Sequence, residues 1–109
     1  MTQVAVIHTA FEDTPRTVAL VDAPEGSVTE QLEYAYRWTQ NIMDSWSMNG
    51  AGDGNDRVTL MAPLHEGKDG KTYGLRSTSV GDQMLLGTVK YRVASFGFKE
   101  IGEKELDFV

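Results

Sequence analysis

Short apolar, β-branched runs lie within residues 3–10 (QVAVIHTA) and again within 16–22 (RTVALVD), bounded by polar residues, and they predict strands. Between them FEDTPR carries turn chemistry, with Asp13 ahead of Thr14-Pro15. So short a connection permits an antiparallel hairpin and excludes a parallel crossover. The pattern then becomes periodic. Leu32, Ala35, Ile42, Met43 and Trp46 recur near every 3.6 residues, with Tyr36 and Thr39 bridging the gap, which predicts a long amphipathic helix over roughly 28–46. Ser27 and Glu30 are spaced as a capping box at its start, and Met48-Asn49-Gly50 ends it. Residues 49–56 (NGAGDGND) read as loop, 57–64 (RVTLMAPL) as a strand stopping near Pro63, and 65–74 as a turn-rich connection. From Tyr73 onward the pattern is strand, Gly81-Asp82 turn, strand, a Gly87-Thr88 hairpin turn, and a long last strand over 89–101. The order β-β-α-β-β-β predicts an α+β fold, a mostly antiparallel sheet of five or six strands with one helix packed on one face.

Composition narrows the function classes. The 109 residues are 40% hydrophobic and 24% charged, the size and make-up of one globular domain over residues 1–109. Sixteen acidic residues against ten basic ones leave a net charge of −6, and the densest basic stretch, Lys68 to Lys71, contains Asp69. Such a field disfavours nucleic acid and anionic membranes. It leaves open the imitation of a phosphate row by Glu30, Glu33, Asp44 and the acidic tail, an antirestriction DNA mimic. Cysteine is absent, which excludes disulfides and thiolate chemistry and suits a reducing cytoplasm. The N-terminal MTQVAVIHTAF has neither a basic n-region nor a long apolar stretch, so no leader peptide is expected. No segment approaches the roughly 20 apolar residues of a membrane span.

The stretch GLRSTSVGDQMLLG at 74–87 is the main candidate for chemistry. A phosphate loop requires Gly-x-x-x-x-Gly-Lys-Ser/Thr; here Gly74 and Gly81 are misspaced and no lysine follows. A hydrolase elbow requires Gly-x-Ser-x-Gly, and Ser79-Val80-Gly81 supplies half of it. The expected role is structural. Arg76 and Thr78 alternate with Leu75 and Ser77 along a strand, Gly81 supplies a positive φ or a bulge, Asp82 bonds a nearby backbone N–H, and Met84-Leu85-Leu86 enter the core. The rival reading is an anion site, with Arg76 supplying charge and the hydroxyls and backbone N–H groups supplying bonds. DGND at 53–56 lacks the third ligand and the glutamate of a calcium loop, and His8 and His65 alone do not make a zinc site. No metal and no cofactor is expected. Trp38 and Trp46 lie eight residues apart, about 80° around a helix axis, and Tyr34 with Trp38 forms an i, i+4 pair beside the apolar stripe. That pair is a candidate interface patch, since aromatics dominate hot spots.

The two C-terminal segments, GLRSTSVGDQMLL at 74–86 and YRVASFGFKEI at 91–101, resemble the YodL-like modules of phage, plasmid and transposon proteins. Gly74, Ser77, Ser79, Val80, Asp82, Tyr91, Val93, Ser95, Gly97 and Phe98 match that pattern; Gly81 stands where the family usually has serine, and Arg76 also departs. The resemblance covers the C-terminal third and implies a phage or mobile-element origin with no catalytic residues. The expectation is a non-enzymatic cytoplasmic module binding a host or element protein, with Tyr34, Trp38, Arg76, Ser77, Ser79 and Asp82 as candidate contact residues. An exposed edge strand within 89–101 would allow a homodimer by pairing across a two-fold axis.

Overall fold

In the computed structural model, which describes residues 2–41, 46–47, 57–62, 65–66 and 72–101, the first hairpin forms from the two apolar, β-branched runs. β1 (Thr2–His8) and β2 (Arg16–Ala23) pair antiparallel, Val4 opposite Val21 and Val6 opposite Ala19. Val18 is an extra residue, a bulge between the Val6–Ala19 and Ile7–Thr17 pairs, and it lets Val18 and Ala19 both be buried. β3 (Val58–Leu60) adds to β2, while β6 (Gln83–Leu86), β7 (Val89–Val93) and β8 (Phe98–Ile101) add in turn beyond β1. The result is a six-stranded antiparallel sheet of order β3-β2-β1-β6-β7-β8. β4 (His65–Glu66) and β5 (Thr72–Tyr73) form a separate two-stranded ribbon.

One face of the sheet collects Val4, Val6, Ala19, Val21, Ala23, Met84 and Val93, and there Leu32 and Ala35 of α1 (Val28–Trp38) join them in the core. Each Val, Leu or Met so buried contributes roughly 1.5–3 kcal/mol. The capping box is complete: Ser27 Oγ accepts from Glu30 N at 3.1 Å, and Glu30 Oε1 accepts from Ser27 N at 3.0 Å.

Three sequence expectations need correction. The helix is short, ending at Trp38 with Thr39 as its C-cap instead of reaching Trp46. Thr39 Oγ1 donates back to Ala35 O at 2.9 Å, and the Thr39 carbonyl accepts from Thr78 N at 3.0 Å, so a distant segment takes the acceptor that another helical turn would have used. Trp46 is buried at 2% exposure, yet it reaches the core from outside the helix; the intervening Ile42 and Met43 lie outside the described residues. Second, residues 74–79 join no strand ladder. Third, the long last strand is two strands, parted by the turn 94–97, in which Gly97 has φ +76° and Ala94 N donates to Gly97 O. The Gly87-Thr88 turn forms as expected. Leu86 pairs with Val89, and positive φ at Gly87 (64°) alone is the pattern of a type II′ hairpin.

Candidate functional site

Segment 75–79 lies across the exit of α1, and side chains from that exit satisfy its backbone. Gln40 Nε2 donates to Thr78 O at 2.8 Å, Asn41 Nδ2 to Leu75 O at 3.0 Å, and Trp46 Nε1 to Arg76 O at 2.8 Å. Ser47 Oγ accepts from Leu75 N, and Ser77 Oγ accepts from Asn41 N at 2.8 Å. Ser79 Oγ donates to Ser77 O at 3.2 Å. Backbone without a ladder stays buried only if partnered in this way.

The chain then turns at Ser79–Asp82. Asp82 N donates to Ser79 O at 3.0 Å, with Gly81 at φ +98°, the positive φ that the third residue of a type II turn requires. This turn delivers the Asp82 carboxylate into the interior at 0% exposure. Oδ1 accepts from Thr9 N, Ala10 N and Arg76 Nη2; Oδ2 accepts from Ser79 N and Arg76 Nη1, all within 2.7–2.9 Å. Burial pushes this carboxyl upward, but the Arg76 guanidinium and the three backbone N–H groups outweigh it and hold the pKa down at about 2.

Arg76 is bound along two edges. Nε and Nη2 donate to Glu12 at 3.1 and 2.8 Å, Nη1 and Nη2 to Asp82, and Nη1 also to Ser77 O at 2.9 Å. These bonds account for all five guanidinium N–H donors. The Phe11 ring lies over the guanidinium, 4.9 Å from its carbon. The hydrogen bonds to Asp82 raise the Arg76 pKa, and the bonds from Arg76 lower that of Glu12.

His8 completes the cluster. As the next even-numbered residue after Val4 and Val6 it faces the core, at 2% exposure, edge-on to Trp46. Its Nε2 is 3.0 Å from Thr78 Oγ1, which donates to Thr39 Oγ1 at 2.8 Å, which in turn donates to Ala35 O. That order of donors fixes the proton: Thr78 can only accept from His8, so Nε2 carries the hydrogen. Burial is the main cause holding the His8 pKa below 6.5, with Asp82 opposing it.

A hydroxyl, an imidazole and a carboxylate therefore converge, but not as a catalytic triad. Asp82 Oδ2 is 4.0 Å from Nε2, the nitrogen already facing Thr78, whereas a triad holds its carboxylate on the opposite nitrogen. His8 donates to the hydroxyl and cannot act as its base. Thr78, His8 and Asp82 are 1%, 2% and 0% exposed, out of reach of any substrate. Arg76 has no N–H left for an anion. The cluster joins β1, the loop after it, the exit of α1 and the start of β6.

The sequence-level candidates thus separate. Arg76, Ser77, Ser79 and Asp82 come together and are engaged within the fold. Tyr34 and Trp38 do not join them. They pair with each other on a flank of α1, ring centroids 6.1 Å apart, half-buried, with the Arg37 guanidinium 5.9 Å from the Trp38 ring centre. The DGND loop, Asp44 and the acidic tail lie outside the described residues; of His65 the backbone alone is described, in β4. Among the described residues no three of His, Asp and Glu gather as metal ligands, and no helix is long and apolar enough to cross a membrane.

A surface feature missed at the sequence level lies on the other flank of α1. Tyr36 meets Phe98 edge-on at 6.3 Å. Beside them a concavity of about 240 Å³ opens between α1 (Glu33, Tyr36), the turn residue Val80 and the β7–β8 hairpin (Val93, Ala94, Phe98). At its rim Phe96 is 97% exposed and Val80 54%. The signal was the SFGF string at 95–98: a glycine between two phenylalanines marks a turn that presents one ring and half-buries the other against the core. Compared with protein-family models, curated proteins and solved structures, the chain matches none.

Proposed function

We propose that this chain is a non-enzymatic protein-binding module of phage or mobile-element origin, working in the host cytoplasm. Its contact surface is the concavity between α1 and the β7–β8 hairpin, with Phe96 at the rim. One observation carries the reading: the polar cluster that could have done chemistry is closed within the fold, while a phenylalanine stands 97% exposed beside a mostly apolar recess. Folding gains nothing from an exposed phenylalanine, whereas a partner covering it removes roughly 150–250 Å² of apolar ring from water. The recess takes an apolar side chain of the partner as Phe96 enters the partner, a host or element-encoded protein.

The test places a photo-crosslinking phenylalanine analogue at position 96, at 38, or at the exposed Thr17 of β2, and irradiates producing cells. The reading expects discrete adducts from position 96 and none from 17. Adducts from 38 alone would move the contact to the Tyr34–Trp38 flank. Identical patterns from all three positions would defeat the proposal.

A further inference from the structure

We infer that the partner of this surface is a second copy of the same chain, each copy seating its Phe96 in the other's recess. The inference rests on the protein-binding reading above and narrows it, since the chain itself would be the element-encoded partner. The argument begins with what one copy leaves unmatched. The β7–β8 turn holds an apolar knob, and the same turn walls a mostly apolar hole through Ala94 and Phe98, with Glu33 on its α1 side. The knob does not fill its own hole: Phe96 is 97% exposed although Ser95 and Gly97 on either side of it line the recess. Gly97, with φ +76°, turns the chain so that the ring is carried outward.

A knob and a hole side by side on one surface are self-complementary about a two-fold axis, which is what an isologous dimer interface requires. The sizes agree. A cavity of about 150 Å³ holds a benzene ring, and this recess offers about 240 Å³. Tyr36 and Phe98 already meet edge-on in its wall, and a third ring there gains the same aromatic geometry. Two phenylalanine rings with the recess surface that covers them, and Val80 at each rim, amount to roughly 800 Å² in total, below the range of stable interfaces and within that of transient ones. The net charge of −6 on each copy adds repulsion that salt screens. The expected dimer is therefore weak and transient, and tighter in higher salt.

Sedimentation equilibrium from 10 µM to 1 mM tests this on the full chain. The weight-average mass of the wild type should rise towards twice the monomer, and Phe96→Ser should stay monomeric with an unchanged melting temperature, because its ring is 97% exposed. The absence of cysteine allows a second measurement. Phe96→Cys mixed with Val80→Cys should form a mixed disulfide at least tenfold faster than Phe96→Cys mixed with Thr17→Cys, since the mixed dimer keeps one Phe96 seated. Equal rates, or a wild type monomeric at 1 mM, would overturn the second-copy assignment. The broader binding reading fails separately, when the crosslinker at position 96 yields neither a chain-to-chain adduct nor any other discrete one.

Discussion

Replacing Asp82 with asparagine changes one atom and removes a charge, and the consequence can be worked out bond by bond. Oδ1 accepts three hydrogen bonds and Oδ2 two. An amide must put an NH₂ where one oxygen was. In the better orientation it replaces Oδ2, and two acceptor contacts, from Ser79 N and Arg76 Nη1, become donor against donor. Hydrogen bonds to a charged group contribute roughly 1.5–3 kcal/mol each, and the Arg76 guanidinium loses its fully buried counter-charge, so the loss is about 3–5 kcal/mol. Against the 5–15 kcal/mol of an ordinary domain that is a large fraction, equivalent to a fall in Tm of roughly 15–30 °C.

Acid should narrow the difference between the two proteins. The folded-state pKa of Asp82, about 2, lies below the unfolded value of roughly 3.9. As the pH falls, the unfolded chain takes up the proton first. The stabilisation is whole above about pH 5, declines between 4 and 2, and is gone below both values. Urea unfolding of wild type and Asp82→Asn at several pH values measures this directly. The gap between them should shrink by about 2 kcal/mol from pH 6 to pH 2. A gap under 1 kcal/mol at pH 6 would refute the reasoning, because it would mean that the carboxylate is solvated and the 75–82 segment is an ordinary surface loop.

Two further substitutions probe the same region. Gly81→Ala places a Cβ at a φ of +98°, 3.2 Å from the Ala10 Cβ, and should cost about 1–3 kcal/mol by thermal unfolding; adding Ala10→Gly should restore part of it, since the contact goes and the strained φ stays. Thr78→Val keeps the shape but leaves the His8 Nε2 hydrogen unpaired, costing about 1–3 kcal/mol, whereas Thr78→Ser should stay near wild type; in wild type, NMR titration should show the His8 midpoint lowered from the ordinary imidazole value, with the neutral ring's hydrogen on Nε2.

The features legible in the sequence were those set by a few neighbouring residues. Ser27 and Glu30 announce the helix start because both halves of the box lie within one turn. Gly87-Thr88 and Gly81-Asp82 announce turns because a positive φ is a property of the residue itself, and an aspartate after such a turn has backbone N–H groups within reach. The helix end was misread because the apolar period runs on through Ile42, Met43 and Trp46; what stops it is Thr78 N, 39 positions beyond the Thr39 carbonyl that it bonds. The Glu12–Arg76 pair spans 64 positions and leaves no local trace. The split of the last strand was written in SFGF, but an apolar string with one glycine also fits an uninterrupted strand.

A buried ion pair is weak evidence of stabilisation, because desolvation offsets much of its attraction, so the Arg76–Asp82 cluster is better understood by what it positions. Asp82 is the last residue of the turn whose second residue is Val80, and Val80 walls the recess beside Phe98. The same turn is bonded to the base of the β7–β8 hairpin from both sides: Gly81 N donates to Val93 O at 2.9 Å, and Val93 N to Asp82 O at 2.8 Å. Holding the carboxylate with five donors therefore also holds Val80 against the hairpin that carries Phe96. An apolar contact at the same place would be non-directional and would leave the turn free to slide along β7. The charged cluster gives the turn one register, and with it the recess one shape. On the proposed binding reading, Arg76 and Asp82 would act as positioning residues, from behind a recess that neither of them lines.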